Sequence, residues 1–394
     1  MRAIVVDGGG GAAAVTLPDP AAVSVSVSGS DPPSQSGRGT ARHLEPDEIV
    51  IRVCACSVSR EDVDECELPV SASISAPVGE ETSSIGGVSE RILGCDVSGV
   101  VAAVGSGVEM YAVGDEVVCI LPRHSHSSGG KRAGSGGCAD FCVARECCVA
   151  RKPAELSHVS ASFALSPGIA ALDAIFVKCN VQSNDLVLVI GAGTDAGYIA
   201  VQLAISRGAF VFAAVSSNEG VALMNQFVPS VVRVIDGRTE RVSTAVVQET
   251  DGVGVHHVVE LGYAPNFQAE EALSPAPGEI LDCLGPHAIW ATRRRRLQLD
   301  PPESAQLALR GASLAFIYTQ SWVACGARRG AFLHMVQEIL RRVADKSVSL
   351  NAIRQISLPQ TPQVLVAAGK SSSSSNKSNG EEWRVAVNID PRAS

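Results

Sequence analysis

Aromatic residues, charged residues and excess positive charge are all scarce in this sequence. Aromatic side chains make up 4% and charged side chains 19% of the 394 residues, whereas 46% are hydrophobic. The formal net charge of −9 excludes a generally basic surface, so we expect no direct contact with nucleic acid. Apolar runs long enough to span a membrane are missing too, and we expect a globular protein without membrane insertion.

A secretory signal is not evident in the opening residues, MRAIVVDGGGG, which hold one arginine and a short apolar segment. Twelve cysteines are scattered along the chain. This spread favours reduced thiols and a cytoplasmic protein over a disulfide framework. The stretches 19–42, 71–89 and 371–380 are rich in small and polar residues with little to bury, and we interpret them as surface insertions.

The segment 185–209, DLVLVIGAGTDAGYIAVQLAISRGA, carries the strongest local signal in the chain. A short apolar run predicts a buried parallel strand, and a glycine-rich turn and an apolar helical pattern follow it. In a dinucleotide fold, such glycines let the backbone approach a pyrophosphate at a helix N-terminus. A tight turn that binds nothing is the alternative interpretation of this pattern.

The hydrophobic pattern of the residues before this segment differs from that of the residues after it. Residues 1–160 contain alternating stretches such as IVIRVCA at 49–55, which indicate an antiparallel β domain. After the glycine turn, further apolar strands are expected at 209–215, 231–235, 257–261 and 280–284, with helical patterns between several of them. Alternating strands and helices predict an α/β fold with a doubly wound parallel sheet.

Two motifs identify a family resemblance. Residues 94–108 read G-x-D-x-S-G-V-V-x-x-V-G-S-G-V, and V-G-D-E-V follows at 113–117. With the strand–glycine–helix unit behind them, they resemble the medium-chain dehydrogenase/reductase superfamily, and its quinone oxidoreductase (zeta-crystallin) branch fits best. The resemblance implies a Rossmann domain at 161–345. It also implies a GroES-like antiparallel β-barrel domain built from residues 1–160 and 346–394.

Members of that superfamily with alcohol dehydrogenase activity hold a catalytic zinc ion. At the matching positions this chain has Ser59, Cys95 and Ser166, so only one soft ligand is present. A second cysteine run falls where the zinc-free branch has a β-strand, whose alternation sends side chains to both faces. That run consists of Cys138, Cys142, Cys147 and Cys148. We therefore predict no metal site and a zinc-independent protein.

The resemblance places the cofactor's phosphates at the glycine turn. The predicted contacts there are Gly193, Thr194, Asp195, Ala196 and Gly197. The Thr194 hydroxyl is positioned to donate to a phosphate, but the Asp195 carboxylate adds a negative charge at the same place. At about 5 Å and an effective dielectric constant of about 20, this repulsion costs about 3 kcal/mol, or a hundredfold in affinity.

The end of the second Rossmann strand indicates which cofactor is used. Ser216 and Ser217 stand where an NAD enzyme has an acidic residue, which favours NADP(H). The lysine that the quinone oxidoreductase branch places nearby is Gly220 here, so binding is expected to be weak or lost. Arg233 or Arg238 near the third strand would have to replace its positive charge.

Substrate polarisation in the zinc-free branch uses an asparagine and a tyrosine. Ser59 takes the asparagine position and no tyrosine is present in that segment, so Ser59 is the predicted catalytic residue and Arg60 a second candidate. The alternative is that both are loop residues facing water. The basic run 293–296 is likewise interpreted as a solvated loop tip, with a phosphate or partner contact as the alternative.

Two functions remain open at this stage. The first is an NADPH-dependent reductase of quinones or other α,β-unsaturated carbonyl compounds, with a degraded site. The second is a catalytically weak or inactive scaffold, which the residues at the degraded positions favour together: Thr194, Asp195, Gly220 and Ser59. Segments 233–236, 297–303 and 309–316 also resemble a branch member that belongs to an endosomal adaptor assembly. That resemblance implies protein subunits as partners and association with endosomes through them. The apolar stretch 313–318 implies a homodimer edge, or else an ordinary buried strand.

Overall fold

A computed structural model describes residues 2–6, 12–16, 44–64, 91–122, 136–262, 274–295, 297–364 and 384–389. The segments 19–42, 71–89 and 371–380, which the sequence predicts to be surface insertions, lie outside the described residues.

The described strands belong to three sheets. In chain order they are β1 (Arg2–Val6), β2 (Ala12–Thr16), β3 (Glu48–Ser59), β4 (Arg91–Ile92), β5 (Asp96–Val104), β6 (Glu116–Ile120), β7 (Phe141–Arg145), β8 (Val149–Arg151), β9 (Leu186–Ile190), β10 (Phe210–Val215), β11 (Val231–Asp236), β12 (Val255–Glu260), β13 (Leu284–Thr292), β14 (Ser313–Phe316), β15 (Gln355–Ser357) and β16 (Arg384–Asn388).

The described α-helices lie mostly between the later strands. They are α1 (Arg60–Asp64), α2 (His158–Leu172), α3 (Asp195–Ser206), α4 (Asn218–Asn225), α5 (Val242–Glu249), α6 (Pro277–Cys283), α7 (Pro301–Arg310), α8 (Thr319–Ala324) and α9 (Arg329–Ala344).

The strand β3 organises the antiparallel part of the fold. Its sequence EIVIRVCACSVS is rich in β-branched residues, and eleven of its twelve positions are buried. It pairs antiparallel with β5, β7 and β16, within a seven-stranded sheet of order β15-β16-β3-β5-β6-β8. A separate small sheet has the order β2-β1-β4.

The six-stranded sheet is parallel and has the order β11-β10-β9-β12-β13-β14. Its central strands are buried on both faces, which explains their continuous apolar runs. All six strands run in the same direction, but the chain adds β9 to β11 towards one edge of the sheet and β12 to β14 towards the other, so the order of connection reverses between β9 and β12. In doubly wound sheets, ligands bind outside the carboxyl ends of the strands at this reversal point.

One apolar helix lies in the core between these sheets. The helix α2 continues as a π-helical turn, Asp173–Lys178, and the most apolar 18-residue window of the combined segment 158–178 has a mean hydropathy of 1.5. It is long and apolar enough to cross a membrane by length and composition, which corrects the sequence-based statement that such runs are missing. Because 89% of its most apolar window is buried within the fold, it serves as a core helix.

The last described strand returns to the antiparallel sheet. In the register of β16 on β3, Arg384 lies opposite Ser59 and Asn388 opposite Ala55. This pairing places Arg384 at the end of β3, on the side of the antiparallel sheet that faces the parallel sheet.

The packing of α2 against α9 yields a first prediction. A Cβ atom on Gly168 would overlap the fully buried side chain of Ile339, so Gly168→Ala should lower the free energy of unfolding by about 1–3 kcal/mol. Gly330→Ala is the matched control, because nothing lies within 4 Å of its added Cβ and alanine favours helix. Urea denaturation measures both; equal effects would contradict this packing.

Candidate functional site in the crevice between the sheets

The glycine turn after β9 requires glycine at two positions. Gly191 has a φ of +76°, and a Cβ atom there would lie 2.7 Å from the backbone nitrogen of Gly262. A Cβ atom on Gly197 would overlap the carbonyl oxygen of Gly191. The backbone nitrogens of Gly191 and Ala192 both donate to the carbonyl oxygen of Ala214 in β10. These contacts fix the turn at the carboxyl ends of two central strands.

Thr194 is the N-cap of α3. Its hydroxyl oxygen accepts a hydrogen bond from the backbone nitrogen of Gly197 at 3.1 Å, and the hydroxyl donates to the carbonyl oxygen of Gly191 at 2.8 Å. The hydroxyl proton is thus used within the turn, whereas the sequence suggested that it donates to a phosphate.

Asp195 opens the first turn of α3, followed by the buried Ala196. The amide of Asn351 donates to Asp195 Oδ1 at 3.1 Å and to the carbonyl oxygen of Gly193 at 3.3 Å. Burial raises the pKa of Asp195, and the charge of Arg384 and the bond from Asn351 act in the opposite direction. The Asp195 carboxylate therefore interacts with Asn351 and Arg384, which both come after the last strand of the parallel sheet in the sequence.

The end of β10 presents Ser216 and Ser217 as predicted, but they differ in role. Ser216 is exposed, and Ser217 caps α4 by accepting from the backbone nitrogen of Gly220 at 3.0 Å. A Cβ atom on Gly220 would lie 3.1 Å from that of Val215 and 3.3 Å from the Ser217 hydroxyl. Glycine at 220 therefore fits a crowded position beside the strand end.

Of the two arginines considered from the sequence, only Arg238 lies beside this strand end. Its guanidinium donates to Asn218 Oδ1 at 2.6 Å and to the Asp236 carboxylate at 2.7 and 2.8 Å. Arg233 instead pairs with two glutamates further along the chain. The structure therefore places one exposed cation next to the first residue of α4.

Ser59 ends β3 on the opposite side of the crevice. Its backbone nitrogen and its hydroxyl both donate to Asp62 Oδ2, at 2.8 and 3.0 Å. Ser59 is 5% exposed and Arg60 is 8% exposed. The alternative that these are water-facing loop residues is therefore wrong: the strand end and the helix α1 bury both side chains.

Of the three positions matching a catalytic zinc site, Ser166 contacts Asp96, Cys95 precedes Asp96 in the chain, and Ser59 contacts Asp62. The Ser166 hydroxyl donates to Asp96 Oδ1 at 2.6 Å, and Arg384 forms an ion pair with the same carboxylate. Arg384 also lies over the ring of Phe163, 5.4 Å from its centre. Within the described ranges, no group of three His, Cys, Asp or Glu side chains is arranged to hold a metal ion. The guanidinium of Arg384 therefore neutralises the buried carboxylate of Asp96.

The cysteine run at 138–148 divides into separate thiol pairs. Cys138 contacts Cys56 at 3.4 Å between sulfur atoms, and Cys142 hydrogen-bonds with Cys119. Cys147 and Cys148 lie in the 3-10 turn Glu146–Cys148. This corrects the expectation that they alternate along a strand.

The basic run after β13 is not a solvated tip, which corrects that interpretation. Arg294 is buried, and its Nε donates to Glu260 Oε1 at 2.6 Å. Thr292 completes the cluster by donating to the other carboxylate oxygen at 2.7 Å. Arg293 forms an ion pair with Glu61 of α1, which joins the two sides of the crevice. Arg296 lies outside the described residues.

A small open pocket adjoins this ion pair. It is lined by Glu61, Arg293, Arg295, Ile317, Tyr318, Thr319 and Gln320. The Arg295 guanidinium lies 5.1 Å from the centre of the Tyr318 ring. Sequence reasoning sought a tyrosine only next to Ser59 and missed Tyr318, which another strand end supplies. The sequence did contain a signal for the buried Arg294: Glu260 ends an apolar strand, and a buried acid requires a basic partner.

Comparison with known proteins gives consistent matches. Residues 45–154 match the alcohol dehydrogenase GroES-like domain family. Quinone oxidoreductase-like protein 1 of Mus musculus is 31% identical over 258 residues, covering 64% of this chain and 72% of that protein. The chloroplast envelope quinone oxidoreductase homolog of Arabidopsis thaliana is 28% identical over 222 residues, covering 54% of this chain and 63% of its own.

Solved structures with the same fold include a putative NADPH:quinone reductase from Bacillus thuringiensis. Its TM-score is 0.70 at 14% identity, with 99% of both chains covered. A mycobacterial quinone oxidoreductase has a TM-score of 0.66 at 20% identity, covering 94% of this chain and 97% of that one. These matches confirm the predicted resemblance and the predicted pairing of a Rossmann domain with a GroES-like domain.

The buried pair of Glu260 and Arg294 yields a second prediction. Arg294→Met leaves a fully buried carboxylate without its cation, and should lower the free energy of unfolding by about 3–5 kcal/mol. The neighbouring Arg295→Met is the matched control and should cost no more than about 1 kcal/mol, because Arg295 is exposed. Chemical denaturation measures both, and similar losses would contradict the assignment of Arg294 as the buried partner.

Proposed function

Because the chain belongs to the quinone oxidoreductase family of the medium-chain dehydrogenase/reductase superfamily, we propose that it is a zinc-independent, NADP(H)-dependent reductase. Its proposed substrates are quinones or other α,β-unsaturated carbonyl compounds. The observation that carries this proposal is the crevice itself: a glycine turn at the reversal point of a parallel sheet, with Arg238 at the neighbouring strand end.

The residues present fit an NADP(H) molecule in two respects. Gly191 and Gly197 permit the tight turn that brings the backbone to the N-terminus of α3, which is where a dinucleotide fold holds a pyrophosphate. Arg238, with Ser216 and Ser217, is suited to a 2′-phosphate at the end of β10. When bound, this cofactor supplies a hydride.

The chain's own residues would bind and orient the acceptor. We propose that the carbonyl compound lies against Tyr318 and Arg295, in the pocket beside the Arg293–Glu61 ion pair. Their hydroxyl and guanidinium groups suit an oxygen that gains negative charge. Ser59 is proposed to act by holding Asp62, because its hydroxyl proton is already donated to that carboxylate. Arg384 takes the place of a metal ion as the neutralising charge for Asp96.

A specific observation supports the inactive scaffold as a second candidate. The hydroxyls of Thr194 and Ser59 are both engaged in internal hydrogen bonds, and the Asp195 carboxylate occupies the helix end that an anion would approach. Such a protein would use its surface for protein subunits. We also propose a homodimer through β14, which lies at the end of the parallel sheet and exposes Phe316 by 53%.

Turnover separates the two candidates. Consumption of NADPH with 9,10-phenanthrenequinone, followed by absorbance, is expected of the reductase. The matched comparison is Tyr318→Phe, which keeps the ring beside Arg295 and removes the hydroxyl, and should lower kcat without lowering the melting temperature. Absence of turnover, together with stable co-purification of other polypeptides, would favour the scaffold.

The Asp195 carboxylate yields a third prediction, which concerns affinity. Asp195→Asn keeps the shape and the contact to Asn351 but removes the negative charge, so dinucleotide affinity should rise by up to about a hundredfold. Calorimetric titration with NADH and NADPH measures the change. Asp282→Asn, the same substitution on the exposed face of α6, is the control and should leave affinity unchanged.

The pH dependence follows from the same group. Burial raises the pKa of Asp195, so lowering the pH protonates it earlier than an ordinary aspartate and removes the repulsion. NADH affinity of the unchanged protein should therefore rise as the pH falls, and this rise should vanish in Asp195→Asn. NADH avoids titration of a 2′-phosphate. A dependence that survives the substitution would show that another group is responsible.

Cofactor choice yields a fourth prediction. Arg238→Gln should lower NADPH affinity by about tenfold, the value of one lost charge-assisted hydrogen bond, and leave NADH affinity unchanged. Arg233→Gln is the matched control, because that arginine pairs with Glu240 and Glu249 instead of the end of β10. An equal loss for both cofactors, or an equal effect of both variants, would contradict the proposed 2′-phosphate contact.

A further inference from the structure

The adjacent residues Cys147 and Cys148 bring two sulfur atoms to one place, 3.9 Å apart. Their 3-10 turn connects β7 with β8. A strand would direct neighbouring side chains to opposite faces, so the turn is what permits the contact. Both thiols are partly exposed to solvent. Together they form a vicinal dithiol that a small reagent can approach.

The other described thiol pairs lack this access. Cys56 and Cys138 are 3.4 Å apart, but both lie wholly inside the β-domain core. Cys325 is as exposed as the vicinal pair, and within the described part of the chain no second thiol contacts it. Cys147 and Cys148 combine proximity with exposure.

We propose that Cys147 and Cys148 form a binding site for trivalent arsenic compounds, which bond two thiol sulfurs at once. Trivalent arsenic carries a lone pair and is pyramidal, so two sulfurs bonded to it lie somewhat closer than the 3.9 Å between these thiols, and small rotations of the two side chains close that difference. The dithiol needs little rearrangement, because the two residues are neighbours in the chain.

The reaction balances without an oxidant or a reductant. With an organic arsenoxide, two S–H bonds and the arsenic–oxygen double bond break, and two As–S bonds form. The two thiol protons leave with the oxygen atom as water, and arsenic remains trivalent. The product is a cyclic dithioarsenite closed through the Cys147–Cys148 peptide.

Neighbouring groups activate one of the two thiols. The Cys148 thiol hydrogen-bonds to Cys147 and lowers the pKa of Cys147 to about 6, and Arg329 and Arg145 act in the same direction. The thiolate present at neutral pH can start the first bond, and the second then forms within one molecule. Burial and the Asp47 carboxylate act in the opposite direction, and an arsenoxide is neutral, so its approach does not depend on the balance of these charges.

Phenylarsine oxide is the probe for this site. Intact-mass spectrometry of the full chain should show one adduct per molecule, mapped by digestion to the peptide that holds both cysteines. The dithiol 2,3-dimercaptopropanol should remove it, whereas 2-mercaptoethanol at equal thiol concentration should not. An adduct on another peptide, or removal by the monothiol, would overturn the proposal.

Serine variants test the requirement for two sulfurs. Cys147→Ser and Cys148→Ser should each weaken retention of the arsenical by roughly a hundredfold, since the second bond forms at high effective concentration. Cys325→Ser is the matched control at a partly exposed single thiol and should retain the wild-type adduct. Thermal melting checks that each variant is folded. Wild-type retention in both vicinal variants would overturn the proposal.

Discussion

The buried guanidinium of Arg384 is the interaction on which the crevice depends. Pairing of β16 with β3 places this residue opposite Ser59, and there it forms an ion pair with Asp96. Burial raises the pKa of Asp195 at the start of α3, and the charge of Arg384 opposes that rise. Without the cation, two carboxylates would face a poorly solvated space, which is unfavourable for both. The C-terminal strand therefore completes the antiparallel sheet and supplies the positive charge that the crevice requires.

That arrangement supports the proposed zinc-independent site, because the chain supplies its own cation beside Asp96. Buried acids and hydroxyls at the former ligand positions are satisfied within the chain, as Ser166 and Asp96 illustrate. The Asp195 carboxylate lies at the N-terminus of α3, where its negative charge disfavours binding of an anionic cofactor. Asn351 and Arg384 partly offset this effect, the first by a hydrogen bond and the second by its positive charge.

The sequence predicted most features that depend on local pattern, but the strand expected at 280–284 was wrong, because Pro277–Cys283 forms the helix α6. The unit of β9, the glycine turn and α3 is contiguous, so apolar period and glycine spacing were enough to identify it, and motifs in order identified the family. The partners of its residues were not predictable, because Asn351 lies 156 residues from Asp195 and Arg384 lies 288 residues from Asp96. Sequence alone has no local pattern that reports such pairs.

Charge and alternation rules failed for an equally physical reason. A run of arginines is normally solvated, but Arg294 is drawn inside by Glu260, which ends a neighbouring strand. Strand alternation failed at Cys147 and Cys148, because a 3-10 turn interrupts the antiparallel sheet there. A tertiary contact decides the position of Arg294, and a change of backbone conformation decides that of Cys147 and Cys148. Neither can be read from the residue types alone.

The most direct measurement is a crystal structure of the protein grown with NADPH. The account predicts the pyrophosphate at the turn between Gly191 and Gly197, the 2′-phosphate beside Arg238, and Asp195 still in contact with Asn351. A well-ordered turn that remains free of nucleotide at millimolar NADPH would contradict it.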